Sequence, residues 1–255
     1  MILHYDGSLD GFLCLLGDAI KQRFAVTRIC AGQKQVSAAL FEEERTIITD
    51  RTWAATVADG LQNKLGRRFM KTLIQALYSE AEEIELDLLQ LARRALKGDS
   101  ALLDRLADPL VNRITTSAQR TARESHRLLG LLRFQQLADD SYLAVCTPRS
   151  NAVPLLGRHF NTRFKGMRWA ILDEQRKIGL FGRSDGWRLF TEVEVTELIM
   201  HADEQQVTEL WRNFYHSISN PDRHNPKLRQ QFMPKRYWSY LTELQPADEF
   251  GQGSG

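Results

Sequence analysis

Asn151-Ala152-Val153-Pro154-Leu155-Leu156-Gly157-Arg158-His159-Phe160-Asn161-Thr162-Arg163-Phe164 is the stretch that decides the fold of the second half of this chain. It reads as a helix, with Asn151 as cap and Pro154 in the first turn, where a missing N–H costs nothing. A pair of strand-like runs lies on each side. Leu132, Phe134 and then Tyr142 to Val145 run around an Ala138-Asp139-Asp140 turn. Arg168 to Leu172 and Ile178 to Phe181 turn at Asp173-Glu174-Gln175-Arg176. The order strand, strand, helix, strand, strand predicts a small antiparallel sheet with a helix packed on one face.

Toward the N-terminus the pattern becomes helical. Ile2 to Tyr5 predicts a short strand, and Asp6-Gly7-Ser8 a turn with Ser8 as N-cap. Phe12, Leu13, Leu15, Leu16, Ala19 and Ile20 then recur at helical spacing. Thr46 to Ile48 predicts a strand, and Thr49-Asp50 the start of a helix carrying Trp53, Val57 and Leu61. Residues 67–129 read almost entirely as helix, broken at Gly98-Asp99 and Asp108-Pro109. Toward the C-terminus, Asp203 caps a helix through Tyr215. Asn220-Pro221 ends it, and an irregular tail follows. The fold class is therefore α+β. Residues 1–129 form a mainly helical part and 130–245 a mixed part with a basic and aromatic C-terminal block. Residues 246–255 form a Gly-rich disordered tail. The two parts are expected to make one compact unit, or two closely packed subdomains with a border near Gly130.

At 43% hydrophobic and 26% charged residues, the 255-residue chain has an ordinary globular composition. The net charge of +2 excludes a polycation, but the charge is unevenly spread. Arg113 to Arg133 is basic, with Glu124 as its acid. Arg158 to Arg168 holds Arg158, Arg163, Lys165 and Arg168 with no acid. From Trp211 to Tyr240 six Lys or Arg face one acid, Asp222. Cys14, Cys30 and Cys146 have no Cys-x-x-Cys spacing, so neither a disulfide framework nor a metal site built from this chain is expected. No signal peptide and no bilayer-spanning run is read, and a reducing, cytoplasmic setting without a membrane fits.

The C-terminal block Asn225-Pro226-Lys227-Leu228-Arg229-Gln230-Gln231-Phe232-Met233-Pro234-Lys235-Arg236-Tyr237-Trp238 alternates cations, amides and aromatics. Cations neutralise phosphates, amides read base edges and aromatic faces stack on unpaired bases. The same mixture can anchor a protein partner. His159 and Arg163, four apart, project from one side of the predicted helix. Arg133 alternates with Leu132 and Phe134 and so leaves the core face. Arg176 either pairs with Asp173 in the turn or stands at the sheet rim beside Arg163. Arg113, Arg120, Arg123 and Arg127 share roughly one helix face. No phosphate loop, dinucleotide fingerprint, zinc-protease or nucleophile-elbow motif is present, and no cofactor is implied.

Three stretches together resemble a bacterial family of DNA metabolism or repair proteins built on a domain of unknown function. The first is Tyr5-Asp6-Gly7-Ser8 with Gly11-Phe12. The second runs from Glu124-Ser125-His126-Arg127 through Arg133-Phe134 and His159 to Phe164 as far as Arg176. The third is Asn225-Pro226 through Trp238. The resemblance implies a setting beside a radical S-adenosylmethionine (SAM) DNA modification or repair protein. In other bacteria it implies fusion to a uracil-DNA glycosylase-like module. It supplies no catalytic residue.

Three functions are compatible with these residues. The first is a DNA-binding accessory protein that presents single-stranded or damaged duplex DNA to the radical SAM partner. Arg133, Arg163, Arg176, Arg229, Lys235 and Arg236 would then hold phosphates, and His159, Asn225, Gln230 and Tyr237 would shape a nucleotide pocket. The second is an enzyme acting on DNA bases or ends, with His159, Asp173 and Asp6 as acid or base candidates. The third is an interaction module anchored by Trp211, Tyr237 and Trp238. The first reading needs the dispersed cations to gather into a single groove once the chain folds, rather than to scatter over opposite sides or pair with carboxylates inside.

Overall fold

A computed structural model of the chain describes residues 1–32, 43–99, 101–193, 230 and 232–241. The chain divides into two compact units, Met1–Ala122 and Arg123–Gly255. The border falls inside a helix, ahead of the Gly130 position expected from sequence. The predicted helix from Asp203 to Tyr215 and the tail 246–255 lie outside the described residues.

The first unit contains β1 (Ile2–Tyr5), α1 (Leu9–Lys21), β2 (Arg28–Ala31), β3 (Glu44–Thr46), α2 (Arg51–Leu77), α3 (Ile84–Leu96) and the first part of α4 (Pro109–Leu131). β1 is central in a parallel sheet of order β2-β1-β3. Ser8 is the N-cap of α1, its Oγ accepting the Gly11 N–H at 2.9 Å. The Asp6 carboxylate accepts from the Ser8 N–H, the Ser8 hydroxyl and the Thr49 hydroxyl, at 2.9, 2.7 and 2.7 Å. Burial pushes the Asp6 carboxyl up, but these bonds outweigh it and leave the pKa below the usual range. A Cβ at position 11 would overlap Asp6 Oδ1. The Tyr5-Asp6-Gly7-Ser8…Gly11 pattern is thus accounted for by a turn that ties the end of β1 to the start of α1 and to Thr49.

Asp50 caps α2, accepting from Thr52 and Trp53 N–H, as the sequence predicts. β3 ends at Thr46, so the predicted strand at 46–48 is displaced toward the N-terminus. Ile47 still turns inward at 5% exposure, whereas Ile48 is 86% exposed. β2 carries no alternation strong enough to be read from sequence. α2 breaks at Gly66, where φ is +85°, an angle that costs glycine least. Arg113, first of the predicted basic helix face, is taken up by Asp87 at 2.6 and 2.9 Å.

The second unit contains the end of α4, β4 (Gln135–Gln136), β5 (Tyr142–Cys146), a short 3-10 helix (Val153–Leu156), α5 (Gly157–Arg163), β6 (Trp169–Asp173), β7 (Ile178–Arg183), β8 (Gly186–Phe190) and a second 3-10 helix (Lys235–Tyr240). The sheet order is β4-β5-β6-β7-β8. The α+β class and the strand-strand-helix-strand-strand order hold. The all-antiparallel expectation does not: β5 and β6 are parallel, and β8 adds a fifth strand. The physical reason is the helix itself. A crossover through α5 returns the chain to the same end of the sheet, which makes the neighbouring strands parallel. Asn151 is not the cap, because Ala152 precedes the 3-10 helix and no side chain caps it.

Ala144, Ile171 and Leu180 from the sheet bury against Val153, Leu156 and Phe160 in one apolar cluster. Trp169 is 2% exposed in the same cluster. A Cβ on Gly182, its cross-strand partner, would overlap the rigid indole. Gly182→Ala is therefore expected to lower stability by about 1–3 kcal/mol, the usual cost of overpacking. A guanidinium titration reads this directly, and an unchanged midpoint would contradict the packing. Among the described residues no helix is long and apolar enough to cross a membrane.

Candidate functional site: a clamped loop and a basic strip

The second unit sorts the predicted site residues into two groups, one held inside and one exposed. The inner group centres on Glu124, which lies on the buried stripe of α4 with Thr121 and Leu128. Its carboxylate accepts from Arg236 at 2.8 and 2.9 Å, from the Arg149 N–H at 3.1 Å and from the Tyr237 hydroxyl. Burial pushes the Glu124 carboxyl up, but these donors outweigh it and hold its pKa below the ordinary value. Tyr237 is 2% exposed, and burial together with Glu124 pushes its phenol up. Tyr237 therefore cannot stack on a base, and Arg236 spends its charge on Glu124. Arg236 was expected to hold a phosphate and Tyr237 to shape a nucleotide pocket. Both instead anchor the C-terminal segment to α4, because a carboxylate buried on a helix needs donors from outside that helix.

Arg176 is held in the same way. Its guanidinium donates to Pro148 O at 2.9 Å, Arg149 O at 2.8 Å and Asp173 Oδ2 at 3.0 Å. Asp173 is fully buried, and its Oδ1 also accepts the N–H groups of Gln175 and Arg176. The turn ion pair is thus the arrangement adopted, and Arg176 is not a free cation at the rim. Asp173, offered as an acid or base, is sealed from solvent at the end of β6. The outcome is one structure: the loop Thr147–Asn151 after β5 is clamped by Glu124 through its N–H and by Arg176 through two carbonyls. Cys146, just before the loop, is buried, and its thiol is pushed up by burial and by Asp173 and Glu124. It is no nucleophile at neutral pH.

The exposed group lies on α5 and the turn that follows it. Arg158, His159, Arg163, Lys165 and Arg168 are all exposed, while Phe160 between them is buried. Helical spacing explains this: Leu156 and Phe160 fix the inner face, which turns His159 and Arg163 outward. Arg168 pairs with Asp139 at 3.1 Å, both side chains remaining more than half exposed. Beneath the strip, Phe164 stacks on Tyr142 with ring centroids 5.6 Å apart, both half-buried. Arg133 folds back onto the end of α4, donating to Gly130 O at 2.8 Å. Gln230 and Lys235 are exposed. Asn225 and Arg229 lie outside the described residues. The structure thus brings His159 and Arg163 together on one face and places Arg176, Arg236 and Tyr237 inside.

Glu124 was legible only as the one acid of a basic stretch. The signal that marks it is its position three after Thr121 and four before Leu128, on the buried side of an otherwise basic helix. Among the described residues no group of three or more His, Cys, Asp or Glu side chains could hold a metal ion.

The family described as a domain of unknown function, DUF4130, matches residues 81–243. The chain belongs to this family. The DUF4130 region takes in Glu124, the clamped loop, α5 and the Lys235–Tyr240 segment, so the clamp and the strip both lie within it. No curated protein and no solved structure matches the chain.

Proposed function

We propose that this DUF4130 protein is a DNA-binding accessory protein that presents damaged or modified DNA to a partner radical SAM enzyme. The observation that carries the reading is the run from Arg158 to Arg168: four Arg or Lys and a histidine, all exposed, with no acid in the stretch. Four cations within eleven residues suit a phosphodiester backbone, whose affinity comes chiefly from counterion release. The resemblance of the chain to proteins encoded beside a radical SAM enzyme supports the choice of partner. Of the acid or base candidates His159, Asp173 and Asp6 in the enzyme alternative, Asp173 is sealed with its oxygens already accepting from Gln175 and Arg176, and Asp6 accepts from Ser8 and Thr49. The interaction-module alternative was built on Trp211, Tyr237 and Trp238: Trp211 lies outside the described residues, Tyr237 is buried, and the Trp238 indole donates to Met233 O at 2.8 Å.

The test is fluorescence anisotropy of the full chain with a labelled single-stranded oligonucleotide at several salt concentrations. With three or four phosphates neutralised, the slope of log K against log salt should lie at roughly −2 to −3. Affinity then falls roughly 15- to 60-fold between 50 and 200 mM salt. Absent or salt-insensitive binding would count against DNA as the partner.

A further inference from the structure

Five buried side-chain polar atoms among the described residues have no hydrogen-bond partner, and three of them sit on the clamp: Ser150 Oγ, Asn151 Oδ1 and Arg236 Nε. Native chains pair nearly all such atoms, because an unpaired buried donor or acceptor destabilises the fold. Three on one clamp point to a missing group rather than to scattered packing faults. Ser150 is 7% exposed, so bulk water does not supply its partner. The Arg236 Nε–H can only donate, and the Ser150 hydroxyl donates by rotation. Turning the Asn151 amide over exchanges Oδ1 for Nδ2 and offers a third donor.

The surroundings favour an anion. Arg149 in the loop, Lys177 in the turn that holds it and Lys235 beside Arg236 are exposed. With Arg176 and Arg236 they outnumber the carboxylates of Glu124, Asp173 and Glu174. The loop leaves the carboxyl end of β5, which is parallel to β6 and joined to it through α5.

We propose that the Thr147–Asn151 loop together with Arg236 is a binding site for a phosphate group, with Ser150 Oγ–H and Arg236 Nε–H as inner donors and Arg149 as the rim cation. Phosphate oxygens are acceptors only, and charge-assisted bonds from guanidinium and hydroxyl groups suit them. The inner donors are closed to bulk solvent, so binding includes a local opening of the loop. The site does not rest on the α5 strip. It stands whether the phosphate is free, on a small ester or at a nucleic-acid end.

The experiment titrates the full chain with inorganic phosphate at constant ionic strength and follows ¹H–¹⁵N resonances, arginine Nε included. Parallel arms use one short oligonucleotide with a 5′-phosphate and with a 5′-hydroxyl. Saturable shifts at Arg236 Nε and the Ser150 amide are expected, with Ser150→Ala weakening the response about tenfold, the scale of one charge-assisted hydrogen bond. Arg149→Ala, a surface change, should weaken it without altering the melting temperature in phosphate-free buffer. Shifts with the 5′-phosphorylated strand alone would assign the phosphate to a nucleic-acid end. No saturable shift in any arm, or an undiminished response in Ser150→Ala, would overturn the proposal. No DNA affinity in the parent chain, or parent-like affinity in α5 charge-reversal variants, with the phosphate response retained would sink the DNA reading and leave this one standing.

Discussion

Glu124→Ala is expected to lower the unfolding free energy by about 3 kcal/mol, the lower end of the range for breaking a buried ion pair. The substitution removes the acceptor for the Arg236 guanidinium, the Tyr237 hydroxyl and the Arg149 N–H at once. Arg236 keeps 24% of its side chain exposed, so part of its charge can return to water, which sets the lower end. Glu124→Gln retains an acceptor for Tyr237 and should lose less. A guanidinium titration of the three proteins reads the series. A loss below about 1 kcal/mol for the alanine variant would mean that the contact is worth no more than a surface salt bridge.

The same residue fixes a pH dependence. The folded-state pKa of Glu124 lies below its ordinary 4.5. The unfolded chain therefore binds this proton more readily than the folded chain. The stabilisation is fully present above pH 4.5 and is lost as pH falls through the folded value. Asp6 acts in the same direction from its own ordinary value of 3.8. Stability measured from pH 7 downward should hold to the ordinary carboxylate range and then fall. The fall should be shallower in Glu124→Gln, and equal slopes in the two proteins would remove Glu124 from the account.

Asp173→Ala is expected to cost about 3–5 kcal/mol, because it strands the Arg176 guanidinium, 14% exposed, and two backbone N–H groups at the end of β6. Arg176 holds two carbonyls of the loop that Glu124 holds by an N–H. The two alanine substitutions should therefore not add. A double-mutant cycle is expected to show a coupling of about 0.5–3 kcal/mol, the range for residues sharing a network. Strict additivity would mean that the loop is not clamped from both sides.

Local signals in the sequence carried much of the fold. Ser8 and Asp50 cap the helices they were expected to cap, because an N-cap is decided by one side chain and its next three residues. Pro109 opens α4 for an equally local reason. β5, β6 and β7 were legible from alternation and turn residues, whereas the first expected strand, at Leu132 and Phe134, falls ahead of β4. The direction of β5 relative to β6 was not legible, since it depends on how α5 returns the chain. β8 was missed because Trp187, Leu189 and Phe190 all stay more than a third exposed, without a clean inside and outside.

The candidate site was legible only in part, and the reason is charge pairing over distance. Arg163 and His159 read correctly as one outward face because helical spacing sets it. Arg236 read as a free cation, and Tyr237 as equally suited to a base or to the core, because their partner, Glu124, lies 112 and 113 residues earlier in the chain. Composition reports how many cations a stretch holds. It does not report which of them are spent inside, and here Arg176 and Arg236 are spent on Asp173 and Glu124.

The most direct measurement compares single-stranded DNA affinity at low salt for the parent chain, for Arg163→Glu with Lys165→Glu, and for Glu124→Gln. The account predicts that reversing the two exposed charges on and after α5 weakens binding by at least about tenfold, since two phosphate contacts become repulsions, with no change in melting temperature. Glu124→Gln should lower the melting temperature while its folded fraction keeps the parent affinity. Parent-like affinity in the charge-reversed protein would contradict the claim that this strip is where the protein meets DNA.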